Sequence, residues 1–312
     1  MDSIRIGTRK SPLALWQAEH VRDLLRQHFP RLEVLLMPMT TQGDRRLDVT
    51  LGEIGGKGLF TKELEQALLE HHVDIAVHSM KDVTVELPAG LMIGAMLERA
   101  DARDAFVSRR YAHLDQLPED SRVGTASLRR QSQIRHRWPR VRVVDLRGNV
   151  GSRLARLAPD SNEPLDAIIL ATAGLVRLGL ADQVRRVLAL DESLPAVGQG
   201  AIGVECRSED REVRACLDAL EHAPTRACVD AERAMNLALG GSCRLPIAGY
   251  ADIVDDKLCL RGLVGDPDGG RIVRAQAEGA PEHAAAIGRE VADDLLRGGA
   301  RTILGRLHER PG

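Results

Sequence analysis

The first two-thirds of the chain alternates short apolar runs of strand length with longer segments of helical spacing. This alternation points to an α/β architecture. Ile4–Gly7 reads as a strand. Ser11 follows as a helix N-cap with Pro12 at the first helical position, and Leu13, Trp16, Val21, Leu24 and Leu25 recur with helical spacing. Further strands are predicted over 33–37, 73–77, 91–97, 104–108, 123–125, 141–146, 166–171 and 201–206. Helices are predicted over 61–71, 128–137, 150–157 and 172–178. After about residue 218 the order changes. A helix over 225–239 ends at Gly240-Gly241, strands over 257–264 and 271–276 flank the turn Asp266-Pro-Asp-Gly-Gly270, and 281–296 is an amphipathic helix. The expectation is an α/β body followed by a smaller α+β domain.

Charge type is more informative than net charge. The chain carries a formal net charge of −2, but its positive groups are nearly all arginine, with lysine only at 10, 57, 62, 81 and 257. Arginine is the fork-shaped donor suited to carboxylate or phosphate. Ten arginines and a single acid, Asp145, lie between Arg122 and Arg156. A solvated basic face accounts for some of them, Arg135, Arg137, Arg140 and Arg142 among them. Nucleic acid is disfavoured, because aromatic residues are 2% of the chain and base stacking needs them. No segment reads as a signal peptide or membrane span. The cysteines at 206, 216, 228, 243 and 259 are odd in number and lack any C-x-x-C pair, which argues against a disulfide framework and a zinc site. A cytoplasmic protein without a metal is expected.

Several of the arginines stand where a strand hands over to a helix. Arg9 lies after the first strand beside Ser11; Arg129 and Arg130 follow Ser127, a second candidate N-cap; Arg147 and Arg153 bracket Gly148-Asn-Val-Gly151; Arg177 lies beyond Ala173-Gly174. Ligands of open α/β sheets bind at the carboxyl ends of strands, where helix N-termini offer N–H groups to anions. The repetition predicts a small polyanionic ligand. The strand over 73–77 runs directly into His78, Ser79, Lys81 and Asp82. A carboxylate so placed can stabilise a cation or pass protons, although a Lys-Asp surface turn and a hydrogen-bonded core histidine are the plainer alternatives. Cys243 sits in the glycine-rich turn LGGSCRLP with Arg244 beside it, the setting of an accessible thiolate, or of an idle exposed thiol. The segment 43–58 combines charges with five glycines and reads as a mobile connection or as a lid.

Together these stretches resemble the porphobilinogen deaminase (hydroxymethylbilane synthase) family. The matching motifs are Thr8-Arg-Lys-Ser-Pro-Leu-Ala-Leu-Trp16, Gly55-Gly-Lys-Gly-Leu-Phe60, Asp74-Ile-Ala-Val-His-Ser-Met-Lys-Asp82 and Arg103-Asp-Ala-Phe106. Ser127-Leu-Arg-Arg130, Leu146-Arg-Gly-Asn-Val150, Leu194-Pro-Ala-Val-Gly-Gln-Gly200, Ala231-Glu-Arg-Ala-Met-Asn236 and the Cys243 segment complete the series. The chain departs from the family pattern at Ala126, Val176, Ser242 and Arg244.

The resemblance implies stepwise condensation of four porphobilinogen molecules into the linear tetrapyrrole hydroxymethylbilane, with release of ammonia, in haem biosynthesis. It implies a dipyrromethane cofactor joined by a thioether to Cys243 and a catalytic aspartate at Asp82. It further implies that Arg9, Arg129, Arg130, Arg147, Arg153 and Arg177 bind pyrrole acetates and propionates, with Ser11, Ser79, Lys81, Thr125 and Ser127 helping. Lys57 would reach the substrate from a lid. The implied fold is two lobes like those of periplasmic binding proteins with the site in the cleft between them, plus a C-terminal α+β domain. The expected boundaries are 1–98 with 198–218 for the first lobe, 99–197 for the second and 219–312 for the third domain. A monomer is expected. Two other readings remain open on the residues alone: a solute-binding module, which would have no use for Asp82 or Cys243, and a cysteine hydrolase, for which no Cys-His motif is recognisable.

Overall fold

The computed structural model describes residues 1–45, 58–241 and 245–309, and these gather into two compact units, 1–100 with 201–227 and 101–200 with 228–312. The architecture is α/β with a separate antiparallel sheet near the C-terminus, as the alternation predicts.

The first unit is built on a five-stranded sheet of order β2-β1-β3-β10-β4. Its strands are β1 (Ser3–Arg9), β2 (Glu33–Met39), β3 (Ile75–Ser79), β4 (Leu91–Met96) and β10 (Ile202–Arg207). β1 runs parallel to β2 and β3, and β10 lies antiparallel between β3 and β4. Helices α1 (Pro12–His28), α2 (Gln42–Arg45), α3 (Lys62–Leu69) and α7 (Arg211–Asp218) belong to this unit. Alternation along β1 sends Ile4 and Ile6 to the face shared with Ala18, Val21 and Leu25 of α1 and Val213 and Leu217 of α7. Leu64 and Leu68 of α3 pack with Val73 and Ala76 in a second cluster.

The second unit contains a sheet of the same plan, ordered β7-β6-β8-β5-β9. It comprises β5 (Asp104–Val107), β6 (Arg122–Gly124), β7 (Arg142–Val144), β8 (Ala167–Ala171) and β9 (Arg186–Val187). β6 is parallel to β7 and β8, while β5 is antiparallel to β8. Its helices are α4 (Leu128–Arg137), α5 (Val150–Ala155) and α6 (Thr172–Arg177). Two apolar clusters form, one joining Phe106, Val123 and Ile169 to Ile134 and Trp138, the other joining Ala105, Ile168 and Leu170 to Leu146 and Leu175.

The C-terminal sheet consists of β11 (Ile247–Val254), β12 (Lys257–Gly265) and β13 (Ile272–Gly279), each antiparallel to the next. The expected hairpin over 257–276 is present. The adjoining helices are α8 (Ala223–Ala238), α9 (Ala284–Leu295) and α10 (Arg301–Glu309), and a wide turn over 296–300 joins α9 to α10 at Gly299, whose φ of +106° suits glycine. This sheet docks on α4. Arg135 Nη1 donates to the Pro267 carbonyl at 2.6 Å, and a Cβ on Gly265 would lie 2.5 Å from Ser132 Oγ, so only glycine permits that approach. No helix among the described residues is long and apolar enough to cross a membrane.

Glu232 on α8 ties the sheet to the preceding chain. It is fully buried, Oε1 accepts from the Ala251 N–H at 2.8 Å and Oε2 from the Gly198 N–H at 2.7 Å. Removing the carboxylate strands two buried donors. Glu232→Ala is expected to cost about 2–4 kcal/mol in urea unfolding; a change within measurement error would show that these bonds contribute nothing net.

Candidate functional site

In both units the candidate residues follow the carboxyl ends of parallel strands. In the first unit Arg9 ends β1, and its guanidinium lies 4.2 Å from the centre of the Phe60 ring, a cation–π contact. Ser11 caps α1, its hydroxyl accepting from the Ala14 N–H at 3.4 Å. Ser79 ends the neighbouring β3, where its hydroxyl exchanges hydrogen bonds with the buried Gln17 amide at 2.9 and 3.2 Å. The chain then tightens into a single 3₁₀ turn, Met80–Asp82, with Met80 buried and Lys81 and Asp82 half-buried. This turn is held by the Met80 N–H on the Ala201 carbonyl (3.0 Å) and the Val83 N–H on the Met80 carbonyl (3.2 Å). His78 is in the core, with Nε2 3.0 Å from Glu205 Oε2, so it braces the sheet under Ser79 rather than joining that edge.

The second unit places Thr125 and Ser127 after β6, Arg147 and Arg153 after β7, and Arg177 at the end of the helix that follows β8. These strands are parallel, so the residues share one edge of the sheet. The antiparallel β5 brings its first residue, Asp104, to that edge opposite Ala171. Thr125 is buried, and its hydroxyl accepts from the Ser127 N–H at 3.3 Å, shaping the entry to α4. Ser127 is the N-cap of α4 by position but makes no side-chain cap bond. Arg147 Nε reaches Asp145 at 3.1 Å, and Arg153 Nε donates to the Gly148 carbonyl at 2.8 Å. Arg177 Nη2 donates to the Gly200 carbonyl at 2.7 Å, and burial pulls its pKa down to about 10.

Asp104 organises the centre of this edge. The carboxylate is fully buried. Arg129 Nη1 reaches it at 2.8 Å and Nη2 at 3.2 Å; Arg130 Nη2 reaches it at 2.7 Å and Nε at 3.1 Å. Ser193 Oγ and Gln199 Nε2 complete the shell at 2.8 and 2.9 Å. Burial alone would raise the acid's pKa, but the charges and hydrogen bonds of the two arginines outweigh it and hold the carboxyl far below its usual range. Both guanidiniums are themselves buried, 3% and 5% exposed, so each spends donors on Asp104 before any ligand arrives. The sequence motif Arg103-Asp-Ala-Phe106 contained this aspartate without indicating its partners, which lie 25 residues away or more.

Cys243 and Lys57 lie outside the described residues. The other four cysteines, 206, 216, 228 and 259, are free thiols. Among the described residues no cluster of His, Cys, Asp and Glu could hold a metal ion.

Comparison with known proteins gives two family matches. Residues 4–215 match the model for porphobilinogen deaminase, dipyromethane cofactor binding domain, and residues 226–297 match porphobilinogen deaminase, C-terminal domain. Among solved structures, a YaeC-family lipoprotein from Enterococcus faecalis is 12% identical over 71% of this chain and 92% of its own, with a TM-score of 0.44. The aliphatic sulphonate binding protein SsuA from Escherichia coli is 13% identical over 95% of this chain and 87% of its own, with a TM-score of 0.43.

The Asp104 cluster carries a pH signature. Its carboxyl is depressed in the folded state, so its contribution to stability is present above the unfolded-state pKa of about 3.9 and is lost as pH falls below it. Asp104→Asn leaves two buried arginines without their counter-charge and is expected to cost about 3–5 kcal/mol at neutral pH. The gap between parent and variant should narrow as pH falls from about 4 toward about 2 in denaturant titrations. A gap independent of pH would contradict the buried ion cluster.

Proposed function

The chain belongs to the porphobilinogen deaminase family, and from that premise we propose how its residues divide the condensation of porphobilinogen into hydroxymethylbilane. The observation that carries the reading is the pair of family matches, which together span most of the chain. The enzyme is a transferase that joins four substrate molecules with release of ammonia, and its first matched region is the dipyrromethane-binding domain.

The residues present fit such a group. Two arginines against one aspartate leave the Asp104 cluster at a net +1, and Arg129 Nε and Thr172 Oγ1 are buried without a hydrogen-bond partner. A positive, donor-rich edge suits a ligand bearing an acetate and a propionate on each ring. Cys243 would hold the dipyrromethane through its sulfur, and Arg129, Arg130, Arg147, Arg153 and Arg177, with Thr125 and Ser127, would neutralise its carboxylates. When bound, that group supplies the terminal pyrrole to which the incoming unit is joined.

Asp82 is the acid assigned to chemistry. Loss of ammonia from porphobilinogen leaves an electron-poor, positively charged pyrrole system, and a fixed carboxylate beside the pyrrole N–H groups stabilises that charge where it develops. The 3₁₀ turn confines Asp82 to a short path out of β3, and Lys81, Ser79, Ser11 and Arg9 are assigned to the incoming carboxylates. Lys57 is assigned a contact with the substrate. A three-part division, 1–98 with 198–218, 99–197 and 219–312, accords with three separate sheets. We place the enzyme in the cytoplasm as a monomer.

Asp82→Asn tests the assignment. It keeps the shape and hydrogen-bonding reach of the side chain but removes the charge, so turnover should fall about 100-fold or more. The covalent adduct on Cys243 should still be present by denatured intact mass. Near-parental formation of hydroxymethylbilane would refute the role of Asp82.

A further inference from the structure

The segment 195–200 joins the C-terminal sheet to the arginine-bearing edge of the second unit. Near its start the Gly249 N–H of β11 donates to the Pro195 carbonyl at 3.0 Å, and Glu232 of α8 accepts from the Gly198 N–H at 2.7 Å. At its end the Gly200 carbonyl accepts from Arg177 Nη2 at 2.7 Å. Gly198 and Gly200 have φ of +71° and +89°, values that suit glycine, and they flank Gln199. The Gln199 N–H closes the turn on the Ala196 carbonyl at 2.9 Å.

Gln199 is 1% exposed, and its amide lies inside the ion cluster. Nε2 donates to Asp104 Oδ1 at 2.9 Å and to the Ala102 carbonyl at 2.5 Å, while Oε1 accepts from Arg130 Nη2 at 3.4 Å. The same Arg130 Nη2 donates to Asp104 Oδ1 at 2.7 Å, so acid, guanidinium and amide close a ring of hydrogen bonds. These partners fix the orientation of the amide. Turned over, it would set its oxygen against the carboxylate and its N–H groups against the guanidinium. Glutamine supplies a donor and an acceptor side by side and adds no charge, which leaves the cluster at its net +1.

We propose that Gln199 is a positioning residue for two of the site's arginines. Its amide fixes Arg130 against Asp104, and the glycine-flanked turn that the amide anchors presents the carbonyl that fixes Arg177. The amide thereby sets how both guanidiniums meet pyrrole carboxylates. This rests on the reading that Arg130 and Arg177 bind those carboxylates.

The test follows gain of the covalent adduct from porphobilinogen by denatured intact mass, in full-length apoproteins of the parent and of Gln199→Met. Methionine is close to glutamine in length and makes neither strong hydrogen bond. Rates over a range of porphobilinogen concentrations separate the half-saturating concentration from the maximal rate, and urea unfolding reports stability. Gln199→Met should raise the half-saturating concentration about 3–10-fold and leave the maximal rate within about 2-fold. A parental half-saturating concentration, with only a lower unfolding midpoint, would overturn the proposal. If Gln199→Met does not fold, Gln199→Asn decides on the same terms, because its amide is one methylene short of the reach that Asp104 and Ala102 require.

Arg130→Lys combined with Arg177→Lys separates the two levels. A parental half-saturating concentration in that double variant sinks the arginine reading and the proposal with it. A raised value there, beside a parental value in the Gln199 variant, sinks the proposal alone. With both lysines present, adding Gln199→Met should change the half-saturating concentration less than about 2-fold, because residues that act through one another are not additive. The full effect of Gln199→Met in that background would mean that the amide acts elsewhere, and would also overturn the proposal.

Discussion

A buried aspartate between two buried arginines is the interaction on which the candidate edge of the second unit depends. Moving three charges out of water is costly, and only close multidentate geometry offsets that cost. Asp104 has this geometry, because both guanidiniums, a serine and a glutamine converge on its two oxygens. The donors come from α4 and from the segment 193–199, and the acceptor from the start of β5, so three separate stretches are locked together at one point. One positive charge remains over. The same arrangement that secures the fold leaves the edge attractive to carboxylates.

The arginines are also fixed from behind. α4 carries them, and the C-terminal sheet grips the far part of that helix through Arg135 and Ser132. Glu232 fastens the sheet in turn to the Gly198 amide, one residue before Gln199, which donates to Asp104. The C-terminal sheet is therefore tied both to the helix that carries the arginines and to the segment that carries Gln199. Pre-organised donors lose little freedom when a ligand binds, which is the condition for electrostatic stabilisation to act without reorganisation.

Much of the scaffold was legible because hydrophobic periodicity reports local structure. The strand over 104–108, the helix over 128–137 and the hairpin over 257–276 are visible in the residues and stand within a few positions of the observed elements. β9 was not, since two residues carry no period, and β11 was obscured by Gly249, Tyr250 and Asp252 within its run. The strand-to-helix arginines were legible as a group because helix caps and glycine turns mark the ligand edge of an α/β sheet. What Arg129 and Arg130 do in the folded chain was not. Their pairing with Asp104 is tertiary, set by strand order, and β5 reaches α4 only because it lies antiparallel to β8. His78, open between core and site by sequence, is a core residue paired with Glu205.

The central claim is that this chain builds its product on a primer anchored at Cys243. Denatured intact mass after exposure to porphobilinogen tests it most directly. The parent protein should carry a covalent increment equal to two porphobilinogen-derived pyrroles, and Cys243→Ala should remain at the bare polypeptide mass. A parent protein that stays at its polypeptide mass, or a Cys243→Ala protein that still gains the increment, would contradict the account.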